Sequence, residues 1–280
     1  MKTNRNHLDM NTLSPQDSFD HSSDPAFLAY YSEQSASPAT LARFQRIRDK
    51  SFKLISARHG NLTNLTVLDI GCGAGTQARL WAEQGHRVFG LDVNQPLVEL
   101  GRRRANELGL MIEFEVGSAT KLPYADASMD VCLMPELLEH VGDWQSCLSE
   151  AVRVLKPGGM LYLSTSNALC PRQHEFNLPL YSWYPGFLKR HFERLAVTTR
   201  PDIANHARYP AVNWFTFYGL RRHLGAMGMQ CLDRFDLIDT SDKSLVEKAL
   251  VSAVLNFAPL RFAGHIMTPG TSVFGFKQAS

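Results

Sequence analysis

The stretch Val67-Leu68-Asp69-Ile70-Gly71-Cys72-Gly73-Ala74-Gly75 decides how this chain folds. Its apolar, β-branched start predicts a buried strand from Leu65 to Asp69, and the three glycines predict a tight turn after it. A helical pattern follows from Gly75 to Gln84. Arg87 to Asp92 then reads as a second short strand that ends on an acid. Strand, glycine turn, helix and strand make the layout of a nucleotide-binding βαβ unit. Glycines let the backbone approach a ligand, and an acid at the second strand's end can accept hydrogen bonds from ribose hydroxyls.

Outward from this unit, Pro38 opens a helical pattern running to about Arg58, with Leu41, Phe44, Ile47 and Leu54 on one face. Beyond it, Gln95 to Leu108 is a helix closed by Gly109, and Met111 to Val116 and Met129 to Met134 are strands. Trp144 to Leu155 is a helix stopped by Lys156-Pro157-Gly158-Gly159, and Met160 to Thr165 is a fifth strand. Strands alternating with helices at this spacing predict an α/β fold with a parallel, doubly wound sheet. The alternation breaks over 166–215, which is rich in aromatics and carries His174, His191 and His206. This segment reads as a cap over a substrate pocket. A helix near Phe217 to Met227, a strand Gln230 to Leu237, a very apolar helix Ser244 to Ala258 and a last strand Ser272 to Lys277 complete the chain. The apolar helix, with Lys248, Ser252 and Asn256 as its polar stripe, is expected to be buried in the cap or at an oligomer interface. The organisation is then a disordered tail (1–24), an N-terminal helical lid (25–60), a cofactor-binding core (61–165), the cap (166–215) and a C-terminal completion of the sheet (216–280).

A chain of 280 residues buries an ample core without disulfides or metals. Its net charge of +2 argues against nucleic acid as a partner. Five cysteines, none in a C-x-x-C pair, suit reduced thiols and a cytoplasmic location. The polar N-terminus lacks the apolar core of a secretory signal, and no stretch is long and apolar enough for a membrane span. No cluster predicts a metal site.

The turn also bears on which cofactor binds. A dinucleotide fingerprint places its third glycine three residues past the second, where this chain has Thr76. Asp69, two residues before the first glycine, would repel a phosphate and suit a cation. The pattern V-L-D-I-G-C-G-x-G resembles the first motif of class I S-adenosylmethionine-dependent methyltransferases, whose cofactor carries a sulfonium and an ammonium. A nicotinamide-dependent oxidoreductase is the rival of another chemical class, and a cofactor-binding, non-catalytic partner subunit is the rival without turnover. The resemblance covers roughly Leu65 to Thr165. It implies a Rossmann-like, seven-stranded, mostly parallel sheet. It implies that Asp69 and Gly71 approach the methionine end of S-adenosyl-L-methionine, that Asp92 accepts the ribose diol, and that Cys72, Gly73, Gly75 and Val93 are further cofactor contacts. Gly117-Ser118-Ala119 stands where many relatives have Gly-Asp-Ala, so Ser118 and Ala119 are the candidate adenine contacts.

Met134-Pro135-Glu136-Leu137-Leu138-Glu139-His140-Val141 resembles the E-x-L-E-H-V segment of ubiquinone-biosynthesis-type methyltransferases. Pro135, a further cofactor contact by this likeness, is expected to open a short helix. That helix would set Glu136 and His140 one turn apart on the same face. His140 is the candidate general base, with Glu136 beside it. Tyr30 and Tyr31, in the lid, and His174 and Trp183, in the cap, are the candidate substrate contacts. The expected acceptor is a small, lipophilic hydroxylated molecule, or else a sugar or natural-product intermediate methylated at O, N or C. Lys189-Arg190-His191 and Arg194, near Trp183 and Phe187, are candidates for peripheral membrane contact, and a homodimer is the other candidate assembly.

Overall fold

The computed structural model describes residues 25–60, 62–204 and 211–279. The expected tail and His206 lie outside the described residues. Seven strands form one sheet: β1 (Thr66–Ile70), β2 (Arg87–Asp92), β3 (Ile112–Val116), β4 (Met129–Pro135), β5 (Leu155–Ser166), β6 (Met229–Leu232) and β7 (Gly270–Lys277), in the order β3-β2-β1-β4-β5-β7-β6. The first five run parallel, and β7 runs antiparallel to both β5 and β6. The nine described helices are α1 (Pro25–Ala36), α2 (Pro38–His59), α3 (Thr76–Ala82), α4 (Gln95–Glu107), α5 (Trp144–Val154), α6 (Gly186–Thr198), α7 (Phe217–Ala226), α8 (Leu245–Asn256) and α9 (Ala258–Ile266).

Burial on both faces explains why the central strands are apolar almost without interruption. Leu68, Ile70, Cys132, Met134, Leu161 and Leu163 pack with residues of α5 and α7, including Leu148 and Leu220. Val67, Val131, Leu133, Met160 and Tyr162 pack on the other face with residues of α2, α3 and α4, among them Ile55, Trp81 and Val98. The cap has a small core of its own, in which the rings of Phe176 and Tyr181 stack 4.1 Å apart.

One ring ties the cofactor half together. Phe114 is the single buried residue of β3. A Cβ placed on Gly75, Gly90 or Gly101 would meet that ring at 2.5, 2.7 and 3.2 Å respectively. Glycines from the turn, from β2 and from α4 thus form the recess that the ring fills.

Three expectations need correction. Lys156 to Gly159 does not separate helix from strand. Gly158 takes φ 79° and β5 begins already at Leu155, paired with Met129. The strand expected from Gln230 to Leu237 ends at Leu232, because Asp233 turns the chain by accepting the Phe235 and Asp236 N–H groups. The apolar helix expected over Ser244 to Ala258 is α8 (Leu245–Asn256), but a second helix that the sequence did not suggest, α9, follows it at a bend of 96°, with Pro259 in its first turn. No residue of α8 is buried, so it does not lie in the cap. The hairpin is anchored through α9, where His265 and Arg261 pair with Asp233.

Gly90→Ala is expected to destabilise the fold by ~1–3 kcal/mol, because the added methyl overpacks Phe114. Denaturant unfolding of Gly90→Ala, Phe114→Leu and the double variant tests this. The double variant should lose less than the sum of the singles. Additive losses would mean the ring and Gly90 are not coupled.

Candidate active site

All five parallel strands end at one edge, and the sheet order reverses between β1 and β4. Ligands of open α/β sheets bind at such a switch point. The glycine turn leaves β1 there, with Gly71 at φ 75° and Gly75 at φ 75°, a backbone region that glycine enters without strain. Gly71 and Cys72 donate their N–H groups to Leu91 O, which pins the turn to β2. Asp92 Oδ2 accepts the Gly73 N–H at 2.8 Å and Oδ1 accepts the Asn94 N–H at 2.8 Å. Asn94 in turn caps α4 by accepting the Leu97 N–H. One carboxylate therefore orients the turn, the end of β2 and the start of α4.

Beside Asp92 lies a cavity of about 350 Å³, within the roughly 300–1,000 Å³ of small-molecule sites. Gly71, Leu91, Asp92, Val93 and Gly117 to Thr120 form one side, and Leu137 and His140 to Asp143 the other. Of the sequence-predicted residues, Gly71, Asp92, Val93, Ser118, Ala119 and His140 come together here. Ser118 Oγ already bonds Thr120 Oγ1 at 2.8 Å. Gly73 belongs to the same turn through its bond to Asp92, and Gly75 faces Phe114. Cys72 is buried in the core on the α3–α4 side, where burial pushes its thiol well above the usual range. Pro135 closes β4 and stands outside the cavity wall.

Asp69 lies beneath the turn, 1% exposed. Its Oδ2 accepts the Ala78 N–H at 3.1 Å, and its Oδ1 is buried with no hydrogen-bond partner. Burial pushes its pKa up to about 7, against the Ala78 hydrogen bond. A carboxylate awaiting a cation has this character, and a phosphate would find no compensation there. Asp92 fits a ribose diol equally well, since a carboxylate accepts about four hydrogen bonds. Thr76, where a dinucleotide site needs its third glycine, instead donates its hydroxyl to Ser35 O at 2.7 Å. These residues fit S-adenosylmethionine.

The expected helix at Pro135 is absent. Glu136 has φ 53°, and only a 3-10 turn forms, at Leu138–His140. The left-handed residue breaks the helix before its first turn, so Glu136 and His140 do not share a helical face. Glu136 points outward to an ion pair with Arg43 of α2, and its N–H reaches Ser164 O. That conformation costs about 1–3 kcal/mol and is held by both contacts. His140 stays half-buried in the cavity wall. Burial pushes its pKa down to about 4, so the imidazole is neutral at physiological pH.

Sequence reasoning passed over Glu139. It is 3% exposed, its Oε2 has no hydrogen-bond partner, and burial pushes its pKa up to about 8. Its backbone oxygen accepts the Val212 and Asn213 N–H groups at 2.9 and 3.1 Å. Asn213 also donates its side-chain amide to Leu138 O and Val141 O, so the end of the cap clamps the 3-10 turn. The acid's own spacing gave no signal of this, because the clamp is more than seventy residues away in sequence.

Tyr30 and Tyr31 are half-buried with rings 5.2 Å apart. Tyr31 is pushed above the usual phenol range by burial, then by Glu175 of the cap and by Glu136 and Glu139. The lid, the 3-10 turn and the cap therefore converge on Tyr31. Arg104, another residue the sequence did not flag, fixes the lid by donating to Ser32 O and Ser35 Oγ. His174 is exposed, and Trp183 is 55% exposed with its indole N–H on Leu169 O. Neither lines the cavity. Among the described residues no cluster could hold a metal ion.

The chain matches the methyltransferase domain family over residues 68–163. It is 36% identical over 126 residues to a ubiquinone biosynthesis O-methyltransferase of Klebsiella pneumoniae, covering 44% of this chain and 51% of that protein. A ubiquinone biosynthesis O-methyltransferase of Pectobacterium atrosepticum is 32% identical over 161 residues, with 56% and 66% covered. The chain thus spans about half to two thirds of the length of these relatives. Its fold is similar to that of an S-adenosylmethionine-dependent methyltransferase from Mesorhizobium loti, with TM-score 0.51, 16% identity and coverage of 81% and 98%. A putative sarcosine dimethylglycine methyltransferase from Galdieria sulphuraria gives TM-score 0.53, 17% identity and coverage of 86% and 87%. Residues 68–163 are thus a methyltransferase domain, set in a class I S-adenosylmethionine-dependent methyltransferase fold.

Glu139 makes a prediction about stability. Its folded pKa, about 8, lies above the ordinary value of 4.5. The folded chain therefore holds a proton that the unfolded chain releases, and stability falls as pH rises from about 4.5 to 8. Glu139→Gln should melt several degrees above the parent at pH 8 and close to it at pH 4.5. Parallel melting curves at both pH values would contradict this.

Proposed function

We propose that this chain transfers a methyl group to a hydroxyl oxygen of a small, lipophilic acceptor. The observation that carries the reading is the cavity itself: Asp92 and the glycine turn on one wall face a neutral His140 on the other. S-adenosylmethionine supplies a methyl already activated by its sulfonium. The acceptor oxygen forms its bond to that carbon as the carbon–sulfur bond breaks in line, and the hydroxyl proton leaves.

The residues have three tasks. Asp92 accepts hydrogen bonds from the ribose and fixes the donor's position along the sheet edge. Leu91, Leu137 and Val141 exclude water from the line of transfer. His140 accepts the acceptor's proton, being neutral above pH about 4. Alignment is the largest contribution, worth roughly 7–11 kcal/mol. A base held this far below neutral pH is weak in the empty site, so it adds to alignment and does not replace it. The ubiquinone-type relatives support an oxygen acceptor with a lipophilic body. The exposed cap residues Arg190 and Arg194, beside the exposed Phe187, support contact with an anionic membrane surface, from which such an acceptor would come, whereas Lys189 is turned inward onto Ser182 O and the Trp214 ring.

Calorimetry with S-adenosylhomocysteine, and turnover of prenylated catechols, test the reading. Asp92→Ala should lose at least about tenfold in cofactor affinity, since each hydrogen bond to a charged acceptor is worth ~1.5–3 kcal/mol. His140→Ala should bind the cofactor as the parent does and lose about 10²-fold or more in rate. At saturating S-adenosylmethionine, where the cofactor's cation holds Asp69 ionised, the parent's rate should stay flat through pH 6.5 and fall only as pH approaches 4, where His140 becomes charged. Tight NAD binding without any response to S-adenosylhomocysteine would overturn the cofactor assignment. Unchanged turnover in His140→Ala would remove that residue from the chemistry.

A further inference from the structure

The α8–α9 hairpin contributes no residue to the cavity, yet it carries seven of the fifteen large apolar side chains that are exposed among the described residues. Leu245, Val246, Leu250, Phe257, Leu260, Phe262 and Met267 are all exposed, with Val246 at 79% and Leu250 at 64%. Exposed apolar side chains concentrated in this way mark an interaction site. The hairpin is also rigidly presented. Ser244 and Glu247 form a reciprocal capping box at the start of α8. Arg261 of α9 pairs with Asp233 and Asp236, and His265 bonds Asp233 at 2.9 Å and stacks on Phe217. Charged groups this buried cost desolvation energy, and here they lock α9 against the sheet while α8 stays bare.

The spacing on α8 says what covers it. Val246, Leu250 and Ala253 of α8, with Phe257 at its C-cap, recur at intervals of four, three and four, the seam spacing of paired helices. The seam is also self-complementary. A two-fold axis between Val251 and Ser252 would set Leu250 opposite Ala253 of a second copy, and Phe257 opposite Val246. Each larger side chain then meets a smaller one, as an isologous contact requires. The charges agree: α8 carries one glutamate and one lysine, so two copies do not repel. A lipid surface would call for a row of lysine and arginine, which this helix lacks.

We propose that α8 is a homodimer interface, in which two copies pair antiparallel about this axis, flanked by the exposed side chains of α9. The contact is separate from the cofactor cavity, and it holds whatever the methyl acceptor is.

Sedimentation velocity of the full chain across a wide concentration range tests the pairing. The parent should pass from monomer to dimer, and Leu250→Glu should raise the dissociation constant at least about tenfold. Leu250 is exposed, so the variant should melt as the parent does. A mixture of Leu250→Cys and Ala253→Cys chains should cross-link on mild oxidation, each with the other, more readily than a mixture of Leu250→Cys and Leu245→Cys chains. A parent that is monomeric at all concentrations overturns the proposal. So does a dimer that Leu250→Glu leaves intact, or a monomer whose flotation with phosphatidylcholine–phosphatidylglycerol vesicles is abolished by Leu250→Glu.

Discussion

The phenyl ring of Phe114 is the constraint on which the cofactor half depends. It comes from an outer strand of the sheet, yet it reaches inward to a recess made by Gly75, Gly90 and Gly101. A side chain on any of the three would push the turn, β2 or α4 away from the others. Gly71 meets the same demand on the opposite side, where a Cβ would lie 2.9 Å from the Leu137 side chain. The turn is thus held between an aromatic ring and the loop that carries His140. Its glycines answer to packing as much as to the approach of a ligand.

Within that frame the electrostatics are economical. Asp92 spends its carboxylate on two backbone N–H groups and so becomes a fixed acceptor at the cavity's edge. Asp69 and Glu139 behave differently. Both are buried, each has one oxygen without a hydrogen-bond partner, and both are pushed up towards or past neutral pH. A buried acid of this kind holds its proton more tightly than an exposed one and gives it up more readily once a cation or a hydrogen-bond donor arrives. The two acids sit beneath the cofactor turn and in the 3-10 turn, on either side of the switch point where the sheet order reverses.

The sequence made the cofactor half legible because its signals are local. Strand, turn, helix and terminal acid fall within 26 residues, from Val67 to Asp92, and the structure realises each within a residue or two. Gly90 and Gly101 carried no signal, because the ring that requires them comes from a third segment. The 3-10 turn was misread as a helix because Pro135 suits a first helical turn, and nothing local shows that Glu136 is left-handed. That conformation is set by Arg43 and Ser164, both distant in sequence. The apolar helix from Ser244 was placed by its pattern, but its setting, cap or oligomer interface, stayed open, since composition reports apolarity and not what lies against it. Only the fold shows that Asp233 claims α9 and leaves α8 outside.

The surroundings of the 3-10 turn differ from those of the glycine turn in how they are built. Tyr31 comes from the lid, Glu136 and Glu139 from the loop after β4, and Glu175 from the cap, and no two of these segments are neighbours in sequence. What joins them is the hydrogen bonding of Asn213 and Val212 to the 3-10 turn, with Arg43 holding Glu136 from the lid side. Asn213 and Val212 thereby fix the backbone of the turn that carries His140, while Asp92 and the glycine turn are fixed by bonds of their own. The two sides of the cavity are therefore held independently, one by contacts local in sequence and the other by contacts more than seventy residues away.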